Sequence, residues 1–125
     1  MKLHVSHNLP DREWIESVLR AEHCCGVRVR WSHGWSQSMA YPKGCFTSQP
    51  LITLSKSHQH NAGAAIGGHD YLRVANYLEK HGVDLSVVNN FRHVFLHELA
   101  HIKTADCTHG TKFRRCLLGL CRKYQ

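Results

Sequence analysis

The chain has 125 residues, with 16 Lys and Arg against 9 Asp and Glu and 12 histidines, for a formal charge of +7 with histidine neutral. At 42% hydrophobic and 20% charged residues it is too apolar for a disordered chain, and its length suits one domain, residues 1–125. No run approaches the roughly 18 apolar residues of a membrane span and Met1 to His7 lacks the apolar stretch of a signal peptide, so the expectation is a cytoplasmic protein with no membrane contact and reduced cysteines.

Pro10 and Asp11 are helix-start residues, and Trp14, Ile15, Val18 and Leu19 recur at helical spacing, which predicts a first helix to about Cys24, stopped by Gly26. Val27 to Trp31 alternates apolar with basic as a half-buried strand does, and Leu51-Ile52-Thr53-Leu54 is a second β-prone run, preceded by a turn at Tyr41-Pro42-Lys43-Gly44. Ser55 to Gly68 has the Gly, Ser and Asn content of a loop. Asp70 can cap a helix carrying Tyr71, Val74, Ala75 and Leu78 and ended by Gly82, and Asp84 or Ser86 can cap the next. Val88, Phe91, Phe95, Leu99 and Ile102 form one apolar helical stripe. A last helix, about Thr111 to Tyr124, puts Phe113, Leu117, Leu120 and Tyr124 on one face, with Lys112, Arg114, Arg115, Arg122 and Lys123 mostly elsewhere.

The chemistry lies on the helix after Val88. His97-Glu98-Leu99-Ala100-His101 is H-E-x-x-H, in which residues four apart stack on one helix face, so two imidazoles can reach one Zn²⁺ while Glu98 serves as general base toward a water. In a chain this rich in histidine about 0.04 chance occurrences are expected, so the motif is informative but needs its context. A catalytic zinc takes three protein ligands and keeps one position open. His109, eight residues after His101, is the favoured third ligand, with Asp106 and Cys107 as rivals. Thr104 stands where H-E-x-x-H-x-x-G-x-x-H has its glycine, so that longer motif does not apply.

With His109-Gly110-Thr111-Lys112-Phe113 following, the pattern resembles the H-E-L-x-H…H-G-x-x-F signature of SprT-like zinc metalloproteases, a small gluzincin-type group. Gly44 in a turn and then Ile52-Thr53-Leu54-Ser55 is similar to the G…I-x-L-S strand beside the active-site helix of that family. The resemblance covers roughly residues 10–125, with these two motifs its specific parts. It implies an α+β, minimal zincin-like fold: a small antiparallel sheet packed against the H-E-x-x-H helix, one zinc on His97, His101 and His109, and a peptide substrate along the sheet edge. The chain departs from the family in the long link of about thirty residues between Ser55 and the metal helix, and in Cys116 and Cys121, whose spacing is not that of a zinc ribbon.

The function expected is therefore a zinc-dependent endopeptidase, a hydrolase acting on protein or peptide. The alternative is a non-catalytic zinc-containing module that contacts DNA or protein through its basic last helix, and hydrolysis of a non-peptide amide is a third reading. Leu51 to Leu54 is expected at the sheet edge, where a peptide could add by main-chain hydrogen bonds, with the 55–68 loop bordering the cleft. His58, His60 and His69 could form a second metal site or a lid, or be solvated; His93 could orient a ligand, or be structural; Tyr41, Tyr71 and His69 are candidate oxyanion donors. Adjacent Cys24 and Cys25 are read as buried thiols, and Cys107 as a free thiol that could otherwise occupy the open zinc position.

Overall fold

Helix α1, Arg12–Ala21, buries Ile15, Val18 and Leu19 at the spacing of one helix face. Asp11 precedes it in the left-handed region, φ 52°, and its carboxylate accepts from Arg92 Nε at 3.0 Å and Nη2 at 3.2 Å instead of capping α1. The same guanidinium lies 4.8 Å over the Trp14 ring, tying the start of α1 to the helix that carries the H-E-x-x-H motif. The computed structural model describes residues 3–31, 39–41, 49–55, 69–106 and 108–125. Among these, β1 (His4–Val5), α1, β2 (Arg28–Trp31), β3 (Met39–Tyr41), β4 (Leu51–Leu54), α2 (His69–Lys80), α3 (Asn90–Thr104) and α4 (Thr111–Tyr124) follow in chain order.

The strands form one sheet in the order β1-β2-β4-β3. The expectation of an antiparallel sheet is overturned: β1 pairs with β2 and β2 with β4 in parallel, Val29 facing Val5 and Ile52, and only β3 runs antiparallel, with Ala40 opposite Ile52. The physical reason is the connection. Helix α1 carries the chain from the end of β1 back to the start of β2, and such a crossover returns the chain in the same direction. The broader α+β assignment stands.

The placement of Leu51 to Leu54 is overturned as well. It is an interior strand, flanked by β2 and β3, and all four of its residues are buried. Apolar residues with one β-branched threonine, all buried, are the pattern of a strand covered on both faces, and flanked by β2 and β3 this segment offers no edge to a substrate.

Helix α2 stops at Gly82, φ 95°, where the Val83 N–H reaches back to the Leu78 carbonyl at 3.0 Å. Asp84 and Ser86 do not cap α3: the Asp84 carboxylate accepts from the Ser86 N–H at 3.0 Å and hydroxyl at 2.6 Å, closing a turn upstream. The cap is Asn89, whose Oδ1 accepts from the Arg92 N–H at 3.1 Å. Helix α3 rests against β3, β4 and α4. Phe91 meets Trp31 of β2, Phe95 meets Trp14 of α1, and with Leu96, Leu99 and Ala100 they sit in one apolar cluster with Ile52, Leu54, Phe113 and Leu117. Among the described residues no helix is long and apolar enough to cross a membrane, and Cys24, Cys25, Cys116 and Cys121 are free thiols.

Candidate metal centre

His97 and His101 lie one turn apart in α3, and His109 arrives from the short link before α4. The link reverses because Ala105 adopts the left-handed conformation, φ 50°, with Ala105 and Asp106 N–H groups returning to the Ile102 and His101 carbonyls at 3.2 and 3.3 Å. The Asp106 carboxylate then accepts from the Thr108 N–H at 2.8 Å and hydroxyl at 2.7 Å, a second local turn that turns the chain toward the site. These bonds also hold the exposed Asp106 carboxyl below its ordinary range.

One nitrogen from each of His97, His101 and His109 lies within 4.8 Å of the others, so the three histidines can hold a metal ion. The three ring centroids form a nearly regular triangle with sides of 5.1, 5.1 and 5.0 Å. His97 Nε2 and His109 Nε2 are 3.2 Å apart. Two nitrogens each about 2.0–2.1 Å from one tetrahedral ion would be about 3.3–3.4 Å apart, so the His97–His109 pair has the spacing that such an ion requires. His101 Nδ1 is 2.6 Å from the Asp106 carbonyl oxygen, to which its N–H donates, leaving Nε2 as a bare donor toward the cluster. Burial chiefly lowers the His101 pKa, with the Asp106 carbonyl opposing and His109 adding to the fall, which favours the neutral form that can ligate.

Phe113 is the residue whose role the spacing did not disclose. Fully buried, it stacks on His101 at 4.2 Å and 24° and meets His97 and His109 by edge contacts at 4.9 and 5.1 Å. One ring is thus the floor on which all three imidazoles are set, and the final position of H-G-x-x-F gains a physical explanation: four residues after His109, in the first turn of α4, it fixes the helix against the ligands.

Glu98 is 7% exposed and makes no hydrogen bond or ion pair among the described residues; burial alone pushes its carboxyl up to about 8. His93, one turn before His97, turns instead to the end of α4: its Nδ1 is 2.9 Å from Gln125 Oε1 and 3.9 Å from Cys121 Sγ. Of the rival ligands, the Asp106 carboxylate is outside the cluster and Cys107 lies outside the described residues. So do His58, His60 and the 56–68 part of the loop, and the side chains of Tyr41, His69 and Tyr71.

A scan against protein-family models, a search of curated proteins and a search of solved structures found no match to this chain.

Proposed function

We propose that the protein is a zinc-dependent endopeptidase, with zinc on His97, His101 and His109 and Glu98 as the general base. The observation that carries this reading is Glu98 itself: a buried carboxyl with no partner among the described residues is costly, and it sits next to His97 in a helix that supplies two of three clustered imidazoles. A purely structural zinc site would gain nothing from a carboxylate there. Three neutral nitrogen donors suit zinc and leave a fourth position free.

Zinc bound there would supply Lewis acidity and a water acidified toward neutrality. Glu98 accepts the proton of the attacking water and returns it to the departing amine, which requires the carboxylate form; a cation on the three histidines favours that form against the effect of burial. The strand at the end of the sheet that lies against α3 is β3, Met39–Tyr41, and an extended substrate would pair with that strand rather than with β4.

The test is Glu98→Gln. The variant is expected to bind one zinc per chain and to cleave casein roughly 10²–10⁴-fold more slowly, the usual contribution of general acid–base catalysis. Unchanged cleavage by the purified variant would refute the assignment, and hydrolysis of small amides with none of casein would transfer it to a different substrate.

A further inference from the structure

Three of the five basic residues of α4 are engaged within the fold. Lys123 pairs with Glu22 at 3.2 Å, Arg122 donates to the His81 carbonyl at 3.2 Å, and the Arg114 guanidinium lies 5.5 Å from the Tyr77 ring. Arg73, Lys80, Lys112 and Arg115 have no ion-pair partner among the described residues, but the cations that gather into one groove are those on and beside β2. Val29 and Trp31 turn into the core, so Arg28 and Arg30 project from the opposite face about 6.6 Å apart, and His4 stands beside Arg28 in the β1–β2 register. Neither arginine has an ion-pair partner among the described residues.

Both line a groove of about 590 Å³ between β1, β2 and α1, along with His7, Arg12 and Arg20. Glu16 is its carboxylate among the described residues, bridged by Arg12 at 2.9 Å and by Arg20 at 3.6 Å, while the two arginine side chains keep 40% and 61% of their surface exposed. Four guanidinium groups against one carboxylate leave a surplus of three positive charges, within a chain of formal charge +7.

We infer that this groove binds the sugar-phosphate backbone of a nucleic acid, through Arg28, Arg30 and the outward sides of Arg12 and Arg20. The cations of the groove are arginines, with no lysine among the described lining residues, and a guanidinium presents paired donors that match phosphate oxygens. No Phe, Tyr or Trp lines the groove among the described residues, so its contacts fall on the backbone and binding is expected to be independent of sequence. Its apolar lining residues, Leu3, Val5 and Val29, are half-buried or buried, and the exposed large hydrophobics of the described residues, Leu72 and Val87, lie elsewhere, which disfavours a lipid surface. The inference does not depend on proteolysis.

The experiment is fluorescence anisotropy of a labelled 20-nucleotide single strand titrated with the full zinc-loaded chain between 50 and 200 mM KCl. Wild type is expected to bind at 50 mM and to weaken linearly in log–log form, by about 0.7 per phosphate contacted. Arg28→Glu with Arg30→Glu should weaken binding at least roughly tenfold and flatten that slope by about 1–2, whereas Lys112→Glu with Arg115→Glu on α4 should change affinity by less than about threefold. Arg30→Gln, at an exposed position, gives the same direction should the double variant fold poorly. Zinc content must be unchanged in these variants, which separates the groove from the metal centre. No binding by wild type at 50 mM, an equal loss in the α4 variant, a strong preference between mixed sequence and poly-dT, or tighter binding of poly-glutamate of equal charge would each overturn the inference.

Discussion

Glu98→Gln makes a prediction about stability that does not depend on any activity. In the metal-stripped protein the folded chain holds the Glu98 proton up to a pH of about 8, whereas an unfolded chain releases it near 4.5. Between those values the unfolded state binds fewer protons, so stability falls as pH rises through the window. Each unit of difference corresponds to about 1.36 kcal/mol, so the deficit is under about 1 kcal/mol at pH 5 and on the order of 4 kcal/mol at pH 8.5, a large part of the 5–15 kcal/mol typical of a domain. Glutamine has nearly the same shape and no charge to bury. Urea unfolding of EDTA-treated wild type and variant, at pH 5 and pH 8.5, should therefore show the variant more stable at the higher pH by several kcal/mol and nearly equal at the lower one. Comparing the two proteins at each pH cancels the contributions of the other titrating groups. A stability difference that is the same at both pH values would refute the claim that burial keeps the Glu98 carboxyl protonated.

Other perturbations follow from the same geometry. His109→Ala should lower zinc affinity, followed by isothermal titration, by more than the roughly 10–100-fold that loss of a supporting partner costs, and Asp106→Ala by far less, because the Asp106 contact to His101 is made by its main-chain carbonyl. Phe113→Ala should destabilise the chain by about 3–5 kcal/mol and also weaken zinc binding, whereas a residue that only fills the core would move the melting temperature without moving affinity. Glu22, almost buried, joins α1 to α3 and α4 through Lys103, Lys123 and Tyr124; burial raises its pKa, but these three donors outweigh that effect and bring it down to about 2. Its stabilisation is present above pH 4.5 and lost as pH falls toward 2, so Glu22→Gln should remove on the order of 1–3 kcal/mol at pH 7 and little at pH 2, read by denaturant titration at each pH.

How far the sequence disclosed this arrangement depended on whether the signal was local. His97 and His101 were legible because a four-residue step on a helix fixes their juxtaposition, and His109 because the motif it opens could be set beside a known signature. The ends of α4, Thr111 and Tyr124, followed from the period of Phe113, Leu117 and Leu120. Strand directions were not legible in the same way. They depend on which strands pair, and β1, the partner that makes α1 a crossover, is two residues long with no alternation to announce it. Leu51 to Leu54 did carry the signal of its interior position, in four apolar or β-branched residues without a polar alternate, but the resemblance pointed to an edge. Asn89 was overlooked as a cap because Asp84 and Ser86 are equally good capping residues, and only the structure shows them satisfied by each other. The reversal at Ala105 carries no glycine to mark it. Phe113 was legible as a core residue but not as the floor of the metal centre, since that contact joins two helices across the link.

X-ray absorption at the zinc edge of the metal-loaded protein decides whether one zinc is held by three imidazoles. One zinc per chain is expected, with a first coordination sphere of nitrogen and oxygen at about 2.0–2.1 Å and the multiple-scattering pattern of three histidine rings. A sulfur scatterer at about 2.3 Å would place Cys107 on the metal in place of a histidine or of the open position, and fewer than three imidazoles, or no stoichiometric zinc, would rule out a three-histidine site.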